Sequence, residues 1–150
     1  LHGVGVVNCW TALDPIPMAT ALRFWAGSHR DACLYQAANF SGDSDYRHVR
    51  SDRPTIPDID SDVSARILAT ELEPGDMLVW DSYTFHSAPG NTLGRRRAAF
   101  SINWASDAIR FQDVSCLASY RAPELTEGSA ITCDKFPLVR TRAQATSESS

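Results

Sequence analysis

With 150 residues, 43% of them apolar and 21% charged, the chain has the size and composition of one globular domain with a buried core. Its net charge of −4, from 14 basic against 18 acidic residues, leaves no basic footprint for DNA or RNA. No apolar run approaches the roughly 18 residues of a membrane span, and residues 1–13 lack the basic flank of a secretion signal. A cytoplasmic protein with neither nucleic acid nor membrane as partner is therefore expected. Cys9, Cys33, Cys116 and Cys133 form no C-x-x-C pair, which suggests reduced thiols rather than a zinc site or a disulfide framework.

Residues 4–12 and 21–25 read as strands joined by Asp14-Pro15-Ile16-Pro17, whose prolines cannot donate to a ladder and so mark a turn or an edge. Gly27-Ser28-His29 closes the second strand. Residues 40–62 are polar and crowded with aspartates, and carry Pro54 and Pro57, the pattern of a surface loop that could act as a mobile lid. A short strand over 65–72 leads into Pro74-Gly75-Asp76. Residues 77–85 are apolar and aromatic enough to form a strand ending at His86.

A second turn follows over 87–94, with Pro89-Gly90-Asn91 and Gly94, and residues 98–104 resume as a strand with Arg97 at its entrance. Residues 111–120 read as a short helix or an irregular packing segment, and 140–150 as a disordered polar tail. Short strands separated by turn signals, with no repeat, heptad or phosphate loop, define an all-β chain with a single domain over 1–139.

This arrangement puts one histidine and one arginine at facing strand ends. An imidazole suits Fe(II), and an arginine fork grips a carboxylate through two parallel charge-assisted hydrogen bonds. Taken singly, each has a plainer reading: a strand-end histidine is commonly just a satisfied polar group, and the run Arg95-Arg96-Arg97 is commonly a solvated turn. Alternation supplies a check, since residues two apart on a strand share a face. If Arg97 points inward, so do Ala99, Ser101 and Asn103. Trp10 shares its face with Asn8 and Ala12, and His86 shares one with Thr84 and Ser82. That inner face is small and polar, as a ligand cavity needs. Asp81 turns to the opposite face, His29 reads as a strand-end residue with a structural hydrogen bond, and His48 lies in the loop.

The block PGDMLVWDSYTFH…N…R over 74–97, the segment CWTALDPIPMATALRFWAGSH over 9–29 and the late Asp134-Lys135-Phe136-Pro137 together resemble the phytanoyl-CoA dioxygenase family of Fe(II)- and 2-oxoglutarate-dependent oxygenases. The resemblance implies a double-stranded β-helix, a jelly roll of the cupin type. It makes His86 the distal metal ligand and Arg97 the partner of the far carboxylate of 2-oxoglutarate, with Trp10 lining the cosubstrate pocket; alternation adds Thr84 and Ser101 as residues facing that pocket. The implied activity is a dioxygenase that hydroxylates a small organic or acyl substrate and releases succinate and CO2.

Two departures accompany the resemblance. The family's H-x-D metal motif precedes the tryptophan, and the expectation is that no H-x-D occurs anywhere in these residues, with His2-Gly3-Val4 the nearest candidate. The expectation is a fragment that begins after that motif and lacks the first strands. In addition, Ala88 stands where many members carry a cosubstrate-binding serine. The alternative is a non-catalytic jelly-roll module that binds a small carboxylate through Arg97 without a metal.

Overall fold

The computed structural model describes residues 5–31, 33, 35–36, 53–58, 61–62, 64–112 and 122–139. Most of the expected loop 40–62, the segment 113–121 and the tail 140–150 lie outside the described residues. Among the described residues six strands are formed: β1 (Val6–Ala12), β2 (Arg23–Trp25), β3 (Ile67–Ala69), β4 (Met77–Asp81), β5 (His86–Ser87) and β6 (Ala99–Ala105). They make two three-stranded sheets, ordered β4-β1-β6 and β3-β2-β5. All pairings are antiparallel. The all-β expectation holds, with short 3-10 turns over Met18–Thr20 and Ser28–Asp31.

The longest ladder explains itself from sequence. Val6, Val7, Cys9, Trp10 and Thr11 suit a pleated surface, and β1 lies between two partners that satisfy both of its edges. Its register sets Asn8 against Trp80 and Asn103, and Trp10 against Leu78 and Ser101. Val6, Asn8, Trp10 and Ala12 therefore share a face with Ala99, Ser101, Asn103, Leu78 and Trp80. The opposite face carries Met77, Val79, Phe100 and Trp104, each about half exposed or more.

The end of β1 is anchored by the turn before β4. Gly75 has φ +100°, a conformation side chains resist, and its N–H donates to the Ala12 carbonyl at 2.9 Å. The Asp76 carboxylate accepts the Glu73 N–H at 2.9 Å, closing the turn on itself. Beneath it Ala12, Ile16, Ala21 and Leu72 form the buried cluster, with Trp10 and Leu78 packed on it. Ile16 and Leu72 exchange both backbone hydrogen bonds, at 2.8 and 3.0 Å.

The expected continuous strand over 77–85 is not formed. The Asp81 carboxylate accepts the Tyr83 N–H at 2.8 Å and its carbonyl accepts the Thr84 N–H at 2.9 Å. This is the local side-chain turn that aspartate offers in competition with a ladder. The chain leaves the first sheet at Asp81 and resumes as β5 in the second, where His86 pairs with Phe24. His86 thus opens a strand instead of closing one, and Ser82 and Thr84 lie in the turn instead of sharing a strand face with it.

The expected strands 21–25 and 65–72 shrink to three residues each, because Met18–Thr20 turns and Leu72 leaves the ladder for its bridge to Ile16. No helix among the described residues is long and apolar enough to cross a membrane.

Candidate active site

The two sheets meet through three rings. Phe24 of β2 stands edge-on to Trp80 of β4 at 5.1 Å, and the His86 ring lies 5.2 Å from Trp80 and 6.0 Å from Phe24. The face of the first sheet that bears Asn8, Trp10, Ser101 and Asn103 is therefore turned toward the second sheet.

His86 is held on three sides. Its Nδ1 lies 3.0 Å from the Thr84 carbonyl; a carbonyl oxygen only accepts, so Nδ1 carries the proton and Nε2 presents a lone pair. Phe85, the residue before it, accepts from the Trp25 N–H at 3.0 Å and donates its own N–H to Ser28 Oγ at 2.9 Å. Ser28 Oγ in turn donates to the Trp25 carbonyl at 2.8 Å. One hydroxyl thus pins the entry of β5 to the exit of β2. Sequence reasoning gave the structural hydrogen bond of this segment to His29, which is exposed; its neighbour Ser28 makes it.

Arg97 stands two residues before β6, and its Nη1 donates to the carbonyl of Thr20, a fully buried residue. No other described residue engages the rest of the fork. From the Asn8 row beside Trp80 to the Ala12 row beside Ala99, the inner face runs about 13 Å at ~3.3 Å per residue. His86 lies toward the first end and Arg97 beyond the second.

Trp10 and Ser101 sit directly opposite each other on that face, between the two ends. Thr84 contributes its carbonyl to His86. Asn8 Nδ2 donates to Ser82 Oγ at 3.1 Å, and the buried Trp80 Nε1 has no partner among the described residues. Ser87 pairs with Arg23 in β5, one residue out of phase with His86, so it does not replace the serine missing at Ala88.

Asp81 pairs with Val7 and lies on the outer face. His29-Arg30-Asp31, downstream of Trp10, corrects the expectation that no H-x-D occurs. It lies in a 3-10 turn with all three residues exposed, and Asp31 accepts the Tyr35 hydroxyl at 2.8 Å. No group of three His, Cys, Asp or Glu that could hold a metal exists among the described residues. They offer one imidazole with a free Nε2, an unpartnered indole N–H beside it and an arginine fork. That set fits one ligand's share of an iron site together with an anion-binding end.

Two facing antiparallel three-stranded sheets define an all-β class. The family profile of phytanoyl-CoA dioxygenase (PhyH) matches residues 2–99, and the chain belongs to that family. Fe(II) and 2-oxoglutarate are the cofactor and cosubstrate that membership brings. No curated protein matches by sequence.

Among solved structures, the chain is similar to the non-heme α-ketoglutarate-dependent epimerase SnoN from nogalamycin biosynthesis, with a TM-score of 0.61 and 21% identity over 91% of this chain and 48% of that one. SnoN in complex with Fe3+, α-ketoglutarate and nogalamycin RO gives 0.63 and 22%, over 91% and 51%. The chain spans about half the length of these neighbours.

Proposed function

We propose that the chain forms part of an Fe(II)- and 2-oxoglutarate-dependent dioxygenase of jelly-roll architecture that hydroxylates a small organic or acyl substrate. The observation that carries this reading is the placement of His86 and Arg97. His86 opens β5 in the second sheet and Arg97 stands two residues before β6 of the first, toward opposite ends of the inner face, with Nε2 of His86 and most of the Arg97 fork unengaged by described residues.

In this reading His86 Nε2 would hold the metal, and the bound iron supplies O2 activation coupled to decarboxylation of 2-oxoglutarate to succinate and CO2. The residues of this chain orient and enclose. Arg97 fixes the far carboxylate of the cosubstrate, so its 2-oxo end meets the metal in one direction. Trp10 and Ser101 line the space between, as wall and hydroxyl contact. Thr84 acts through its carbonyl, keeping the His86 proton on Nδ1.

A second reading is a carboxylate-binding module without a metal, which rests on the Arg97 fork alone. It predicts 2-oxoglutarate binding indifferent to Fe(II). The test is steady-state succinate formation by the full-length protein with Fe(II), O2 and varied 2-oxoglutarate. Arg97→Ala is expected to raise the KM for 2-oxoglutarate at least about tenfold while turnover persists at saturation, because a lost charge-assisted pair costs ~1.5–3 kcal/mol. An unchanged KM would sink the assignment of Arg97.

A further inference from the structure

Three consecutive arginines, Arg95, Arg96 and Arg97, precede β6, and nothing in their chemistry says which should enter the site. Alternation lets a slip of one residue exchange the inward and outward members of such a run. Arg97 lies before the first ladder pair of β6, Ala99 with Ala12, so sheet pairing alone does not hold it.

What holds it is Asp14. The Ala98 carbonyl accepts from the N–H groups of both Leu13 and Asp14, at 3.0 and 3.3 Å. The Ala98 N–H donates to Asp14 Oδ2 at 2.8 Å. The same oxygen lies 3.4 Å from Arg96 Nε. Both backbone polar groups of Ala98 and the side chain of Arg96 are thus committed to residues just beyond β1, and Arg97 is the residue between them. It alone of the three reaches the buried Thr20 carbonyl.

The contributions are unequal. Arg96 is 83% exposed and the Asp14 side chain 25%, so the ion pair is screened and weak. The bond from the Ala98 amide to this partly buried carboxylate is the stronger restraint. We infer that Asp14 is a positioning residue for the cosubstrate: by clamping Ala98 it sets the register that turns Arg97, and not Arg95 or Arg96, into the pocket. This rests on the reading of Arg97 as the carboxylate anchor.

Isothermal titration of the full-length protein with 2-oxoglutarate tests it, with thermal unfolding followed alongside. Asp14→Ala is expected to weaken 2-oxoglutarate binding at least about tenfold. Asp14→Asn, which keeps an oxygen for the Ala98 amide, should stay within about threefold of the parent, and so should Arg96→Ala. In turnover the loss should appear in the KM for 2-oxoglutarate with saturated kcat retained, which a general loss of structure would not produce.

Should Asp14→Ala fail to fold, Asp14→Glu against Asp14→Asn carries the same test, since glutamate keeps the charge and misplaces the acceptor. Binding lost in the glutamate variant and kept in the asparagine variant supports the clamp; equal affinities, or the reverse order, overturn it. If Arg97→Ala weakens binding and Asp14→Ala does not, the clamp fails while Arg97 stands. If Arg97→Ala itself leaves affinity unchanged, the reading beneath it fails.

Discussion

Tyr35 shows how one contact at the edge of the site should be visible in solution. Its hydroxyl donates to Asp31 Oδ2 at 2.8 Å, and its ring stands edge-on to Phe85, the residue before His86, at 4.9 Å. The hydrogen bond to Asp31, reinforced by some desolvation and by that carboxylate's charge, pushes the phenol up from its ordinary 10.0 to about 12. Because the raised value favours the protonated phenol in the folded state, the contact is fully present below pH 10. It is lost as pH climbs toward about 12. An ultraviolet titration is expected to show a tyrosine step well above the ordinary 10.0, and Asp31→Asn should bring that step down. A late step that survives Asp31→Asn would contradict the contact.

At the scale of elements, Ser28 bears most on where His86 sits, because its hydroxyl both donates to Trp25 and accepts from Phe85. Ser28→Ala removes two hydrogen bonds and leaves the Phe85 N–H seeking water. Chemical denaturation should register a loss of about 1–3 kcal/mol; a change below ~0.5 kcal/mol would show that β2 and β5 hold each other without it.

The elements also show what was legible in sequence. Alternation along β1 and β6 correctly grouped Trp10 with Asn8 and Ala12, and Ser101 with Asn103, because a strand paired on its inner face must keep its register. The break after Asp81 was missed: an apolar, aromatic run outweighed the aspartate, yet Asp81-Ser82-Tyr83-Thr84 carries a side-chain turn signal that could have been read. The consequence is geometric, since the break carries His86 into the sheet facing Arg97. The Ser28 staple and the Asp14 clamp join residues 57 and 84 positions apart. No local pattern encodes such a pair; only the folded chain brings them together.

For the molecule as a whole, the account holds that two sheets present the two ends of one cosubstrate to one inner face. Family membership brings Fe(II) and 2-oxoglutarate, and the proposed seat for them is that face, to which the described residues contribute the His86 imidazole and a mostly unengaged Arg97 fork. The claim that joins them is that His86 and Arg97 hold the same molecule. It is tested most directly by anaerobic calorimetry of 2-oxoglutarate binding to the full-length protein, with and without Fe(II), in the parent and in His86→Ala. The account predicts that Fe(II) tightens binding in the parent. It also predicts that His86→Ala cuts this tightening at least about tenfold, ~1.4 kcal/mol, and leaves a weaker binding that still depends on Arg97. Full iron-dependent tightening in His86→Ala would place the metal elsewhere and contradict the account.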